Sequence, residues 1–271
     1  MMLKHKLNND YFTSYIGYFY QYGIGTEVDK YRSLSYYFQA TNLYSTNQLE
    51  NDSLEVINQS IGQCFLAIFY KKGIIVSKDV RMMFEFGDKS AQLGNIFSQV
   101  NVGFCYLNGY EIGKNERKAF EWFLKSAEKG NSDAQYWVAI CYSNGIGIEE
   151  DVYKAFEWFL RSAEGGNNNA QYNVAMCYYD GIGVEEDEQK ALEWFSISAE
   201  NRNSVSQYWI ACINNTNIEG NEKKSFEWFL KSAENGNSDA QYEVAKYYKD
   251  GIGVEKDEQK AFEWFLKIRK K

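Results

Sequence analysis

Trp122, Trp158, Trp194, Trp228 and Trp264 stand 36, 36, 34 and 36 residues apart. So even a spacing of so rare a side chain marks an array of structural repeats and constrains the fold before any helix is assigned. Whole segments recur with it: "GIGVEEDEQKALEWF" from Gly181 and "GIGVEKDEQKAFEWF" from Gly251 differ at two positions. A second copy of a catalytic loop would serve no purpose, whereas a second copy of a structural unit extends a stack. The register runs back to Phe86 and, across a 14-residue insertion, to Tyr36. Seven units follow, near residues 10–41, 60–93, 97–130, 133–166, 169–202, 205–236 and 239–271, forming one array. The insertion near 42–58 is polar and reads as a long loop with at most one helical turn.

Within the unit that begins at Ala134, "AQYWVAICYSN" places Ala134, Val138, Ala139 and Tyr142 on one stripe at helical spacing, and Gly145 ends that helix. A second helix from Asp151 turns Ala155, Trp158, Phe159, Ser162 and Ala163 inward, with Gly165 and Gly166 supplying left-handed conformation at its end. Asp before the second helix, and Asp or Ser before the next first helix, suit the N-cap. The sixth position of each first helix is small: Gly17, Ala67, Gly103, Ala139, Ala175, Ala211 and Ala245. A large side chain there would hold neighbouring helices apart. The Trp and Phe of the second helix are expected to fill the space opposite, at a cost of about 3–5 kcal/mol for truncating one of them to Ala.

This pattern resembles the Sel-1-like repeat, and it is clearest at Ala170, Val174, Ala175, Tyr178, Gly181, Gly183, Val184, Asp187, Lys190, Ala191, Trp194, Phe195 and Ala199. Tetratricopeptide repeats are the near neighbour, but they carry their Trp in the first helix. The resemblance implies an all-α fold, a right-handed superhelical solenoid of about seven stacked helical hairpins. Two units depart from the pattern. The first has Tyr36 and Tyr37 for Trp-Phe; the sixth has a shortened loop, "NNTNIEGNEKK", and Asn214 for Tyr. The chain ends in "KIRKK" with no polar capping helix, which would allow end-to-end self-association there.

A net charge of −8 works against nucleic-acid binding, which needs a basic face, and against anionic membranes. No apolar run approaches the ~18 residues of a membrane helix, so membrane insertion is not expected. "MMLKHKLNND" lacks the apolar centre of a signal peptide, which implies a cytoplasmic protein.

Several features mimic chemistry. The Gly-x-Gly steps at Gly23, Gly145, Gly181 and Gly251 follow helices and precede carboxylates, so they read as inter-helix turns and not phosphate loops. Cys64, Cys105, Cys141, Cys177 and Cys212 lack zinc-site spacing, and equivalent positions in stacked helices lie too far apart for disulfides. A cysteine-rich branch of the resembled family, associated with β-lactam binding or hydrolysis, has Cys where this chain has Ala91, Ala127, Ala163, Ala199 and Ala233, so that carry-over fails. The single histidine, His5, lies in a tail, and neither a catalytic residue, a cofactor nor a metal site is expected. Glu85, Glu121, Glu157, Glu193, Glu227 and Glu263 precede the aromatic of each second helix and read as a solvated face, with Glu121–Lys125 and Glu157–Arg161 as helical ion pairs.

The first helices carry a second stripe opposite the Ala-Val-Ala-Tyr one. It comprises Gln135, Tyr136, Trp137 and Ile140; Gln171, Tyr172 and Met176; Gln207, Tyr208 and Trp209; and Gln241 and Tyr242. These line the expected concave groove. The expectation is a non-enzymatic scaffold or adaptor that holds a protein or extended peptide segment. The Gln amides would contact its backbone, the aromatics would take its side chains, and the acidic turns would favour Lys or Arg in it. Bracing of the neighbouring hairpin by each Gln is the competing role. The rival functions are a β-lactam hydrolase and a regulatory fragment of a larger kinase-like protein.

Overall fold

A computed structural model describes residues 12–42, 53–110, 112–217 and 220–268. Among the described residues there are fourteen α-helices and no strand. In chain order they are α1 Thr13–Tyr22, α2 Lys30–Asn42, α3 Ser53–Lys72, α4 Val80–Gln92, α5 Ile96–Asn108, α6 Glu116–Ala127, α7 Ser132–Asn144, α8 Val152–Glu164, α9 Asn168–Asp180, α10 Glu188–Glu200, α11 Ser204–Asn217, α12 Glu222–Glu234, α13 Ser238–Asp250 and α14 Glu258–Ile268. The chain divides into two compact units, Met1–Cys141 with Gly145–Glu149, and Tyr142–Asn144 with Glu150–Lys271. In the first, α1/α2, α3/α4 and α5/α6 form hairpins, with α2 packing on α3 and α4 on α5. In the second, α9/α10, α11/α12 and α13/α14 form hairpins, with α8 on α9, α10 on α11 and α12 on α13. His5 and the final Arg-Lys-Lys lie outside the described residues.

The α9/α10 hairpin shows how local sequence sets these boundaries. Asn167 opens α9 by accepting the Ala170 N–H at 2.9 Å. Gly181 ends it at φ 67°, a conformation that costs a glycine little, and its N–H reaches the Cys177 carbonyl. The chain then turns so that the Asp187 N–H meets the Tyr178 carbonyl at 2.9 Å, and the Asp187 carboxylate caps α10 through the Lys190 N–H. Gly183, between them, passes so close to the start of α8 that a Cβ would run into the Val152 carbonyl oxygen. The second glycine of Gly-x-Gly is therefore a packing residue that seats the turn on the preceding hairpin.

Four expectations need correction. The first helices are capped by Asn95, Asn131, Asn167, Asn203 and Asn237, not by Asp or Ser. Gly165 has φ −74°, and only Gly166 is left-handed. Residues 43–52 of the insertion lie outside the described residues, but from Ser53 it is helical, and there the buried Asn58 holds the start of α1, accepting the Ser14 N–H at 2.9 Å and donating to Thr13 Oγ1 at 3.0 Å. In the second helices the core residue is the Phe, not the Trp. Phe123, Phe159, Phe195 and Phe229 are buried, while Trp122, Trp158, Trp194 and Trp228 are half-buried. One residue is about 100° of helix, which turns the Trp toward the rim. There a cation three residues on covers its face: Lys125 over Trp122 at 4.3 Å, Arg161 over Trp158 at 4.7 Å and Lys231 over Trp228 at 4.3 Å. Lys125 is thus on Trp122, and Glu121 pairs instead with Arg117 at 3.3 Å.

The small sixth residues behave as expected. Ala139, Ala175, Ala211 and Ala245 are fully buried, and a Cβ on Gly103 would strike the Phe123 ring. Behind them lies a polar ladder. A buried Ser late in each of four second helices donates to its partner helix, as Ser90 Oγ to the Ser60 carbonyl at 2.7 Å and Ser232 Oγ to the Ser204 carbonyl at 2.6 Å.

Candidate functional site

The Gln residues brace the stack. Gln99, Gln135, Gln171, Gln207 and Gln241 each donate Nε2 to the carbonyl of the Ala that closes the preceding second helix, at 3.1, 3.3, 3.4, 3.1 and 3.1 Å. Gln171 and Gln207 also accept from Asn201 at 3.1 Å and Asn235 at 2.9 Å in their own hairpins. Four of the five are buried, and Gln135 is half-buried. These bonds are the bracing role that stood beside peptide contact for the same amides.

The aromatics form two groups. In the first unit Trp137 packs between Phe104, at 4.9 Å between ring centroids, and Phe123, stacked at 5.9 Å, with Tyr136 edge-on to it at 5.6 Å and Ile140 half-buried one turn on. In the second unit Trp209 stacks on Phe195 at 6.0 Å and leans on Tyr179 at 5.2 Å, while Tyr172 and Met176 pack against the same cluster. Both indoles fill an inter-hairpin space with one face, and each stays half-buried. Tyr208 packs on Phe229 at 5.6 Å, and Tyr242 is 50% exposed.

Carboxylates surround the rings of the second unit. Burial first, and then Cys212, Glu243 and Asp239, together push the Tyr208 hydroxyl up to about 12. Burial likewise raises Tyr172, partly offset by a hydrogen bond from Trp209, with Asp180 adding to the rise. This surface can take apolar side chains flanked by positive charge. It offers no acid–base pair, and among the described residues no cluster of His, Cys, Asp and Glu could hold a metal ion. None of the five cysteines is in a disulfide; burial raises each thiol, Cys141 to about 12 and Cys177 to about 11. Among the described residues no helix is long and apolar enough to cross a membrane.

One further site in the first unit went unread in the sequence. A cavity of about 580 Å³ opens between α3, α4 and α5. Ile68, Met83, Phe84, Val102 and Phe104 line it, with Gly87 and Asn101 at the α4–α5 interface and Lys71, Lys72 and Lys78 at its edge. In the repeat register Gly87 occupies the place of Phe123 and Phe195, and Asn101 that of Trp137 and Trp209. Both members of the stacked pair are missing together. The signal was present in the alignment, but it has meaning only once those two positions are known to touch.

The Sel1 repeat model matches residues 14–45, 60–95, 96–131, 132–167, 168–203, 204–237 and 238–269. Among solved structures, a Sel1 repeat protein from Oxalobacter formigenes is 25% identical with a TM-score of 0.76, covering 95% of this chain and 71% of that one. The protein c5321, a protective antigen present in uropathogenic Escherichia coli strains and displaying an SLR fold, is 26% identical with a TM-score of 0.58, over 97% of this chain and 69% of that one. No curated protein matches significantly.

Proposed function

The chain belongs to the Sel1 repeat family, whose helical arrays are typically protein-interaction scaffolds, and from that premise we propose that it is a non-enzymatic scaffold holding a partner polypeptide segment. The contact surface in the second unit is the row Tyr172, Met176, Tyr208, Trp209 and Tyr242, on the first helices α9, α11 and α13. One observation carries this reading: Tyr172, Tyr208 and Tyr242 recur at matching places of successive hairpins, Tyr172 and Tyr208 packed against the core and half-buried, Tyr242 50% exposed with Phe265 beside it and Lys246 over its ring. Large rings held rigid are the usual energetic centre of an interface. The nearby Asp180 and Asp239 favour a segment carrying Lys or Arg, while Glu243 is paired with Lys246 at 3.0 Å. The high thiols support the non-enzymatic part, since a thiol held neutral by burial is a poor nucleophile.

Panning a displayed random-peptide library against the protein tests the reading. Retained peptides should combine an apolar side chain with Lys or Arg, weaken as salt rises, and lose about tenfold or more in affinity with Tyr242→Ala. Peptides indifferent to both salt and Tyr242→Ala would place the contact elsewhere, and turnover of nitrocefin by the purified chain would overturn the non-enzymatic assignment.

A further inference from the structure

We propose that the cavity between α3, α4 and α5 is a small-molecule site for an amphipathic aryl carboxylate. Its volume, about 580 Å³, falls within the ~300–1,000 Å³ typical of ligand pockets. The shape is inherited. At the two matching interfaces a phenyl and an indole stack in this position, Phe123 on Trp137 and Phe195 on Trp209. Here Gly87 and Asn101 supply neither ring, and a Cβ on Gly87 would find its nearest neighbours, Ala67 and Val102, only at 3.9 and 4.0 Å. The apolar walls that receive protein rings elsewhere are left to receive a ring from outside, helped by the edges of Phe84 and Phe104.

The charge of the ligand follows from the edge. Lys71, Lys72 and Lys78 gather there in a chain of net charge −8, and among the described lining residues there is no carboxylate. None of the three lysines forms an ion pair among the described residues. Lys71 also reaches the floor electrostatically, since its charge opposes the upward push of burial on the Cys105 thiol. Asn101 and Asn108 each spend Nδ2 on their own helix, at the carbonyls of Phe97 and Phe104, which leaves Oδ1 as an acceptor for a ring N–H. An apolar aromatic body with a carboxylate at one end satisfies all of these groups together. This inference is independent of the peptide surface proposed for the second unit.

Isothermal titration of the full chain with indole-3-propionate, its neutral amide and tryptamine provides the test. The acid should bind, the amide about fivefold or more weakly, and tryptamine more weakly still. Gly87→Phe/Asn101→Trp, which restores the stacked pair, should lose acid binding at least about tenfold while keeping its helical circular dichroism. Should that double variant misfold, Gly87→Leu alone blocks the same volume. Lys71→Gln/Lys72→Gln/Lys78→Gln should bind acid and amide alike. Equal binding of acid and tryptamine, unchanged binding by the filled variants, or no binding of any of the three compounds up to millimolar concentration would each overturn the proposal. Library peptides that depend on Tyr242 should bind the filled variant as before, so failure here is distinguishable from failure of the scaffold reading.

Discussion

The α10–α11 interface of the second unit and the α4–α5 interface of the first share one polar frame and differ in filling. In both, a Gln donates to the closing Ala at 3.1 Å, Gln207 to Ala199 and Gln99 to Ala91. In both, two buried serines meet at 2.9 Å, Ser206 with Ser198 and Ser98 with Ser90. Yet Phe195 stacks on Trp209 in one, while Gly87 and Asn101 leave a cavity in the other. Helix spacing is therefore set by hydrogen bonds between small side chains and helix ends. The aromatics add burial on top of a spacing already fixed, and their absence leaves space instead of collapse.

The largest effect should come from emptying the filled interface. Phe195→Ala should lose about 3–5 kcal/mol in urea unfolding, with a coupling of about 0.5–1.5 kcal/mol to Trp209→Ala in a double-mutant cycle. A loss below about 1 kcal/mol would show that the ring is not what fills this interface.

Breaking the frame comes next. Gln207→Leu removes two hydrogen bonds, one to the Ala199 carbonyl, which keeps the Arg202 N–H at 3.0 Å, and one from the exposed Asn235 amide, and should cost about 0.5–1.5 kcal/mol. Gln99→Leu should cost less, because Gln99 Oε1 already lacks a hydrogen-bond partner. Equal costs would mean that the second hydrogen bond contributes nothing.

A pair of glycines sharpens the contrast with one methyl group each. Gly103→Ala forces a Cβ against the Phe123 ring and should lose about 1–3 kcal/mol, whereas Gly87→Ala, in a helix interior, meets Ala67 and Val102 at the ordinary contact distances of 3.9 and 4.0 Å and should gain about 0.5–1 kcal/mol. Thermal denaturation of the two variants should move in opposite directions.

The last effect is in pH. Burial holds the Cys141 and Cys177 thiols above their ordinary value of 9.0, at about 12 and about 11. The unfolded chain ionises first, so the stability they contribute is whole below pH 9 and declines as pH rises toward the folded values. Urea midpoints measured across that window should fall, and Cys141→Ala/Cys177→Ala should flatten the decline.

The hairpins were legible because most units repeat the same start and stop signals, so the register of an irregular unit such as the sixth, with its shortened loop after Asn214, is fixed by its neighbours. Which ring enters the core was not legible, since adjacent Trp and Phe both lie near the apolar edge of a helical wheel, and the lysine or arginine over the Trp is a contact in space. The Gln role was open for the same reason: its partner carbonyl belongs to the preceding helix and follows from packing, not from period. The helical start of α3 rests on Asn58 reaching α1, a contact across 44 residues between Asn58 and Ser14.

The central claim, that a polar frame keeps the α4–α5 space open without its aromatics, is tested most directly by the unfolding free energy of Gly87→Phe/Asn101→Trp. Rings entering a preformed space should raise it by about 1–3 kcal/mol over the unsubstituted protein. A fall of similar size would mean that the neighbouring helices have already closed the gap in solution, contradicting the account.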